Sequence, residues 1–397
     1  MSVSSAGARQ PDSHQLTHPG YRPDIDGLRA LGVLLVVIFH AFPRTLPGGF
    51  AGVDIFFVVS GYLISTIIFE NLEKGSFSFV EFYSRRIRRI FPALIVVLAT
   101  GSILGWFVLL TDEYKRLGLH IVSGAGFVSN FVLWSEAGYF DGDAYTKPFL
   151  HLWSLGIEEQ FYIVWPVLLG TVWQRKHHFL GITVSIAVLS FVANLYLVHS
   201  NPVAAFYSPW SRFWELMIGG ILAYVALHRP QYLATRSNWV SAAGLLLIVL
   251  GVALLNKKAA FPGWWALLPT LGTFLVIAGG PDAWINRKFL GSRGMVGIGL
   301  VSYPLYLWHW LLLSLAWIVE GEMPANATRS VLVLVSLALS YLTYRFVERR
   351  MRRGGRTTAA VLLATMAGVM VLGFVTYAEL LRPRNDNRTI GLILEAL

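Results

Sequence analysis

The chain has 397 residues, of which 55% are hydrophobic and only 14% charged, and its formal net charge is +10. In soluble domains about a quarter of all residues are charged, so this composition excludes an ordinary soluble protein and predicts a helical membrane protein. The chain contains no cysteine, which excludes disulfides, thiolate zinc sites and thiol nucleophiles. The positive charge does not call for a nucleic-acid partner, because the basic residues cluster in short loops, as in proteins whose partner is the lipid bilayer.

Apolar runs of nearly membrane-spanning length recur along the whole chain. We expect a polar cytoplasmic tail without a cleavable signal over 1–22, a membrane domain over 23–350, a basic loop and one more helix over 351–381, and an extracytoplasmic tail over 382–397. The candidate runs cover residues 30–45, 53–70, 91–110, 119–134, 157–173, 179–198, 211–227, 239–255, 264–280, 297–319, 328–346 and 359–381.

The orientation of these runs can be tested by counting them. The basic loops at 82–89 and 345–356 are both expected in the cytoplasm, yet nine runs lie between them, and an odd number cannot return the chain to the same side. A basic loop at 174–178 is also expected in the cytoplasm, so the run that does not span the membrane must lie within 91–173. The weakest run there, 119–134, is interrupted by small and polar residues and is predicted to be re-entrant. The predicted fold is therefore an all-α bundle of about eleven transmembrane helices with one re-entrant segment, with its N-terminus inside and its C-terminus outside.

The first run carries an arginine and a histidine eleven residues apart, Arg29 and His40. On a helix this spacing is about three turns and about 16 Å, with about 20° of residual rotation, so both side chains point the same way. Arg29 is then expected near one membrane face and His40 near the hydrocarbon midplane. Ionisable groups at that depth are costly and typically mark functional sites. The alternative is a histidine that only bonds to a neighbouring helix.

Four arginines lie within five residues at the start of the third run: Arg85, Arg86, Arg88 and Arg89. Orientation in the membrane explains some of this charge, but not all of it. Arg86 and Arg89 share a helix face, and forked guanidinium groups suit phosphate oxygens, which predicts a cytoplasmic donor with several phosphates. The chain has neither a Walker-type nor a dinucleotide-binding glycine pattern, so a nucleotide hydrolase or dehydrogenase is not favoured.

Adjacent polar residues also begin the 157–173 run, where Glu158, Glu159 and Gln160 follow one another. Carboxylates at the start of an apolar helix raise the free energy of membrane insertion unless they are paired with a cation or hydrated. Interfacial aromatic residues account for Tyr162 and its neighbouring tryptophans, but not for the carboxylates.

A second histidine, His309, lies in the 297–319 run behind Tyr303 and other aromatic residues. The aromatic side chains are expected to pack in the bundle. His309 fits a structural hydrogen bond and a functional role equally well.

Five motifs in this order resemble the acyltransferase-3 family of integral membrane acyltransferases. They lie at 21–40, 52–64, 82–92, 151–162 and 302–309. The resemblance implies transfer of an acetyl or other acyl group from cytoplasmic acyl-CoA to a hydroxyl of an extracytoplasmic carbohydrate. O-antigen, peptidoglycan or another envelope glycan would be the acceptor, and the bacterial inner membrane the location.

The resemblance also implies a site. The motif of a basic residue, a ten-residue gap and a histidine falls on Arg29 and His40, the Arg-x-x-Arg motif falls on Arg86 and Arg89, and a family glutamate falls on Glu348. We expect His40 to act as the general base or to carry the acyl group briefly, and Glu158 to position the acceptor or the histidine tautomer. Further candidates are Arg85, Ser60 and Tyr62 for the donor, and Asp26, Glu159, Gln160, Tyr162, Tyr303 and His309 around the site.

One departure concerns the C-terminus. The last loop and helix resemble a subgroup in which an SGNH hydrolase-like domain follows, but only about fifteen residues follow Leu381 and no Gly-Asp-Ser block is present. The chain is therefore expected to be part of a longer protein or to act with a separate transferase. No metal and no permanently bound cofactor are expected. A proton-coupled transporter or a flippase for lipid-linked sugars is the alternative, although no convincing internal repeat supports a transporter.

Overall fold

The computed structural model describes residues 20–137, 144–173, 179–233, 238–256 and 258–384. Within these ranges the chain is helical and forms no strand. The helices are α1 Pro23–Ala41, α2 Gly52–Glu73, α3 Phe79–Val108, α4 Thr111–Ala125, α5 Ser129–Glu136, α6 Leu152–Val172, α7 Phe179–Ser200, α8 Pro202–Tyr207, α9 Pro209–His228, α10 Asn238–Leu254, α11 Leu267–Ala278, α12 Arg293–Leu300, α13 Ser302–Glu320, α14 Asn326–Leu342, α15 Arg349–Met351 and α16 Arg356–Tyr377.

The predicted all-helical, multi-pass membrane character is confirmed. Within the described ranges, six helical stretches are long and apolar enough to cross a membrane by length and composition. They correspond to α2, α3, α7, α13, α14 with α15, and α16, and their bounds are Gly49–Glu73, Phe79–Val108, Leu180–Ser200, Ser302–Glu320, Asn326–Met351 and Arg356–Tyr377. Helices α1 and α9 fall outside this group although they are 19 and 20 residues long, and both carry charged side chains. The number of eleven spanning helices therefore stays a prediction.

Helices α4 and α5 form an antiparallel hairpin over the region predicted to be re-entrant. Nε2 of His120 in α4 lies 2.9 Å from Oε1 of Glu136 at the end of α5, and the Ser123 and Ser129 hydroxyls lie 3.4 Å apart near the turn. Both outer ends of the hairpin therefore point the same way, which is the shape that a re-entrant segment requires. Its depth in a bilayer stays a prediction.

The two most basic segments lie side by side at one end of the bundle. The Arg88 guanidinium donates to the carbonyl of Gly354, and Arg356 lies 3.8 Å from the Glu81 carboxylate. This proximity agrees with the expectation that both segments face the same side of the membrane. The basic loop at 174–178 and most of both tails lie outside the described residues.

Helices α2 and α9 make a close backbone contact that depends on glycine. A Cβ added to Gly61 would lie 1.9 Å from the carbonyl oxygen of Leu216, and one added to Gly219 would lie 2.1 Å from that of Val58. Small residues allow such close helix packing in membrane proteins. The contact fixes α2, which carries residues of both cavities described below.

Helix α1 begins seven residues before the predicted apolar run, because Pro23 at its first position suits a helix start. The helix ends at Ala41, so His40 is its second-last residue. It contacts His309, which is the eighth of the 19 residues of α13. His40 thus lies at the end of its own helix but beside the middle of α13, and its depth in the bilayer stays a prediction.

Candidate functional site

A narrow cavity of about 80 Å³ lies toward the N-terminal half of α1, where it is bounded by α1, α2, α3, α6 and α13. Three of the predicted arginines lie on its wall, together with hydroxyl and carboxyl groups. We call it the arginine cavity. Its polar wall consists of Arg29, Ser60, Arg86, Arg89, Ser154, Glu158, Tyr162, Ser302, Tyr303 and Tyr306.

Two of these arginines already have carboxylate partners. Nη2 of Arg86 lies 2.7 Å from Oε1 of Glu159, and the Arg86 guanidinium lies 3.8 Å from the ring centre of Tyr162. Nη1 of Arg29 lies 3.2 Å from Oδ1 of Asp26. These contacts hold both guanidinium groups in place and offset part of their charge.

Arg89 differs from its neighbours. It is half-buried, and within the described ranges it forms no hydrogen bond and no ion pair. Arg29, Arg86 and Arg352 are close enough to repel its charge. The nearby carboxylate of Glu348 is fully buried and bonds to Arg352 at 2.6 Å. Arg89 therefore presents an unpaired fork of donors in a basic environment, which suits an anionic ligand.

Glu158 lies in the arginine cavity, where its carboxylate accepts hydrogen bonds from the hydroxyls of Ser60 and Tyr162. The hydroxyl of Tyr303 donates to the carbonyl of Ile90 at 3.0 Å. Within the described ranges no hydrogen bond joins Glu158 to His40, so the structure does not support a direct role in setting the histidine tautomer; the other expected role of Glu158, positioning the acceptor, stays a prediction. Both carboxylates of the predicted pair, Glu158 and Glu159, instead line or support the arginine cavity.

A larger cavity of about 310 Å³ lies at the other end of α1. We call it the histidine cavity, because His40 and His151 line it together with Arg212. The rest of its wall is mostly aromatic: Phe39, Phe50, Tyr145, Trp153, Phe206, Tyr207, Phe261, Tyr306 and Trp310.

A chain of hydrogen bonds assigns the tautomer of His40. Nδ1 of His309 lies 3.0 Å from the carbonyl oxygen of Leu305, which can only accept, so this nitrogen carries the proton. Nε2 of a neutral His309 is then an acceptor, and it lies 2.9 Å from Nδ1 of His40, which donates to it. Nε2 of His40 is left with its lone pair free. A histidine oriented in this way by a second group is suited to act as a base or a nucleophile.

The histidine cavity also contains polar residues that were not predicted as site residues. His151 is buried, and neither of its ring nitrogens has a hydrogen-bond partner within the described ranges. Arg212 is fully buried, lies 2.6 Å from Asp54 and 2.8 Å from Glu215, and keeps Nη1 without a partner. Charged residues inside apolar helices were the available signal, since they rarely occur without a function or a partner.

The arginine and histidine cavities meet at a thin wall. Of the described residues, Val53 and Tyr306 alone line both of them. The cavities otherwise have separate walls, one basic and one aromatic. Arg29 and His40 thus line different cavities along one helix, an arrangement that their shared helix face did not by itself predict.

The structure brings neither Arg85 nor Tyr62 to either of these cavities. Arg85 bonds to Glu81 at 2.8 Å, one turn earlier on α3. Tyr62 is two positions beyond Ser60, which is about 200° around a helix, and it therefore lines a separate cavity of about 190 Å³ with Arg22. Their assignment to the donor is not supported by these positions.

Gln160 and Asp26 line neither the arginine cavity nor the histidine cavity. Gln160 donates to the carbonyl of Phe127 and to Asn130, both at 2.8 Å, and so holds the turn of the α4–α5 hairpin. Asp26 accepts from the hydroxyl of Tyr21 at 2.9 Å. Burial and this hydrogen bond raise the pKa of Tyr21 to about 12, so its hydroxyl stays protonated and neutral at physiological pH.

These features define a multi-pass helical membrane protein with a basic cavity and a histidine cavity in contact. Residues 22–345 match the profile of the acyltransferase-3 family, described as an acyltransferase domain. This match covers most of the chain. The chain belongs to the acyltransferase-3 family, as its motifs indicated.

Sequence relatives carry acyltransferase names. The chain is 32% identical over 351 residues to the peptidoglycan O-acetyltransferase OatA of Listeria monocytogenes, an alignment that covers 84% of this chain and 56% of that protein. It is 31% identical over 355 residues to a Staphylococcus aureus protein provisionally named O-acetyltransferase SAS0844, covering 84% and 58%. It is 34% identical over 334 residues to a protein of Komagataeibacter xylinus provisionally named membrane-bound transacylase BcsY, covering 83% and 82%.

The chain thus spans little more than half the length of the Listeria and Staphylococcus proteins. No solved structure matches it.

Proposed function

We propose that this chain is a membrane O-acyltransferase that moves an acetyl or other acyl group from acyl-CoA to a hydroxyl of an envelope carbohydrate. The observation that carries the proposal is the position of His40. Its Nε2 is unprotonated and, among the described residues, unpaired on the wall of one cavity. That cavity adjoins a second one in which Arg89 has no hydrogen-bond or ion-pair partner in the described part of the chain.

The arginine cavity is the proposed donor site. Arg29, Arg86 and Arg89 would bind phosphate groups of CoA, with Arg89 free to form new bonds and the others held by Asp26 and Glu159. The cavity is narrow, so it suits the slender pantetheine arm better than the nucleotide, which would lie at its mouth. The basic end of the bundle would then face the cytoplasmic side of a bacterial inner membrane.

The chemistry needs one group that accepts and returns a proton. In direct transfer, Nε2 of His40 takes the proton of the acceptor hydroxyl while the hydroxyl oxygen attacks the thioester carbon. The carbon–sulfur bond then breaks, and the thiolate of CoA takes the proton back from His40. In the alternative route, Nε2 attacks the thioester carbon first, the carbon–sulfur bond breaks and CoA leaves as its thiolate. The hydroxyl oxygen then attacks the acyl-imidazole, the carbon–nitrogen bond breaks, and the thiolate takes up the hydroxyl proton. The free lone pair of His40 supports both routes equally.

The acceptor is proposed from the relatives and from the shape of the histidine cavity. One relative is named for peptidoglycan, and the cavity has the aromatic walls on which a sugar ring can stack. Because the chain spans only part of that relative, an SGNH-type domain or a separate transferase is proposed to share the final transfer to the glycan.

The proposal is tested with purified protein, radiolabelled acetyl-CoA and methyl glucoside as a hydroxyl acceptor. We expect release of the CoA thiol, and we expect His40→Ala to lower it by about 100-fold or more while CoA still binds. Label that stays on the wild-type protein but not on His40→Ala would support the acyl-histidine route. If the wild-type protein neither binds CoA nor releases its thiol, the donor assignment is wrong and the transporter alternative gains support.

A further inference from the structure

The wall between the two cavities is made by one residue of α2 and one residue of α13. Val53 lies in the first turn of α2, and Tyr306 lies in the second turn of α13. Both are buried, with 9% of each residue exposed. Because they are the described residues that line both cavities, we expect the shortest route from the arginine cavity to His40 to run beside these two side chains.

The ring of Tyr306 is held in this position by hydrogen bonds at its hydroxyl and by two neighbouring imidazole rings. Its hydroxyl lies 2.6 Å from the Ser154 hydroxyl and donates to the carbonyl of His151 at 2.7 Å. Its ring lies 5.3 Å from the ring of His151 and 5.6 Å from that of His309. Because two hydrogen bonds hold the phenol to the start of α6, the ring cannot turn aside without breaking them.

Val53 is the other residue that lines both cavities, and its side chain has little freedom of its own. Its β-branched side chain has one strongly preferred rotamer in a helix. The neighbouring residue Gly52 packs against Gly32 of α1, where an added Cβ would lie 2.3 Å from the Gly32 carbonyl oxygen. The backbone that carries Val53 is therefore held against α1.

We propose that Val53 and Tyr306 select the acyl group by size and restrict transfer to short chains such as acetyl. This inference rests on the proposed function and adds the specificity of its donor. The acyl group must cross the wall while the phosphates stay with the arginines, so each additional methylene has to fit between two fixed side chains. A rigid apolar passage discriminates against one extra methylene by about 10-fold to 200-fold.

The experiment uses the full chain in lipid nanodiscs with acetyl-, butyryl- and octanoyl-CoA as donors and methyl glucoside as the acceptor probe. Release of the CoA thiol is measured for each donor. The wild-type protein should favour acetyl-CoA over butyryl-CoA by about 10-fold or more. Val53→Ala should raise the ratio of butyryl to acetyl transfer by about 10-fold through kcat, with unchanged affinity for CoA. Tyr306→Phe should raise this ratio less, because the ring remains while its hydrogen bonds are lost.

The matched control is Val58→Ala, which removes the same atoms from a buried valine of the same helix that lines neither cavity. It should leave the donor ratio unchanged. Equal use of butyryl- and acetyl-CoA by the wild-type protein would overturn the inference, and so would an unchanged ratio in Val53→Ala. If the wild-type protein releases no thiol from any donor, the proposed function itself is wrong.

Discussion

The imidazole rings of His40 and His309 lie within 10° of parallel, with 2.9 Å between Nδ1 of the first and Nε2 of the second. The edge of Trp310 contacts His40 at a ring distance of 4.4 Å. His309 thus plays the part for His40 that a carboxylate commonly plays for a catalytic histidine, but without placing a formal charge in the bundle.

This pairing predicts different effects for the two histidines. His40→Ala should abolish transfer, because it removes the proposed base. His309→Ala should lower kcat by about 10-fold to 100-fold and leave CoA affinity unchanged, since a neutral His40 keeps one basic nitrogen but loses the partner that fixes which nitrogen it is. His309→Gln should restore part of the rate, because its side-chain oxygen can accept from Nδ1 of His40. Thiol release and calorimetry with CoA provide the measurements.

His228 is the matched control for these variants, since it pairs with Glu73 at 2.7 Å and lines neither cavity. His228→Ala should therefore retain transfer. Full activity of His309→Ala would show that the tautomer of His40 does not depend on this contact.

The arginine cavity predicts that Arg89 and Arg85 differ sharply although they lie on one helix. Arg89→Ala should weaken CoA binding by about 10-fold or more, because a charge-assisted hydrogen bond contributes about 1.5–3 kcal/mol. Arg89→Lys should recover only part of the affinity, as it keeps the charge but not the fork. Arg85→Ala removes the same charge from the same end of α3, so it controls for any effect on membrane orientation. Equal losses of affinity in both alanine variants would mean that the cluster acts only through its summed charge.

The buried group of Asp54, Arg212 and Glu215 predicts a stability effect. Arg212→Ala leaves two buried carboxylates without their cation and should cost about 3–5 kcal/mol. The measurement is the thermal unfolding midpoint of the purified protein in detergent. The triple variant Asp54→Asn, Arg212→Gln and Glu215→Gln removes all three charges together. It should be more stable than Arg212→Ala. If Arg212→Ala unfolds at the wild-type temperature, the ion pairs do not hold α2 and α9 together.

The α4–α5 hairpin predicts that both its outer ends reach the same side of the membrane. The natural chain has no cysteine, so Asp112→Cys and Ser135→Cys each introduce a single reporter at an exposed position. A membrane-impermeant maleimide should label both from the extracytoplasmic side in intact cells, and Ser76→Cys only after permeabilisation. Labelling of Asp112→Cys and Ser135→Cys from opposite sides would show that this region spans the bilayer.

Features that depend on local periodicity could be predicted from the sequence. The shared face of Arg29 and His40, the position of Arg86 and Arg89 on one helix face, and the break in the weakest apolar run all follow from spacing along one helix. The partner of His40 could not be predicted in this way. It depends on α1 ending beside the middle of α13, and no pattern within either helix sets that register.

Two expectations that the observed positions do not support have the same physical origin. The role of Glu158 toward the tautomer of His40, as one of its two expected roles, and the role of Tyr62 toward the donor each rest on a motif shared with residues of the site. A motif is continuous in sequence, whereas each step along a helix turns the next side chain by about 100°. Tyr62 therefore faces away from Ser60, and Glu158 faces the arginines although His151 of the same motif faces the histidine cavity. The pairing of Arg212 with Asp54 could not be predicted, because the two residues lie 158 positions apart.

Acyl transfer past the thin wall at Val53 and Tyr306 should move no net charge across the membrane. Moving one elementary charge through a membrane potential of 100 mV requires about 2.3 kcal/mol. In the proposed reaction the phosphates never leave the arginine end, and the acyl group that passes the wall outward is replaced by the proton that the CoA thiol takes up. These two movements cancel in charge. Acyl export through this protein should therefore proceed at the same rate in energised and de-energised membranes, driven by the thioester alone.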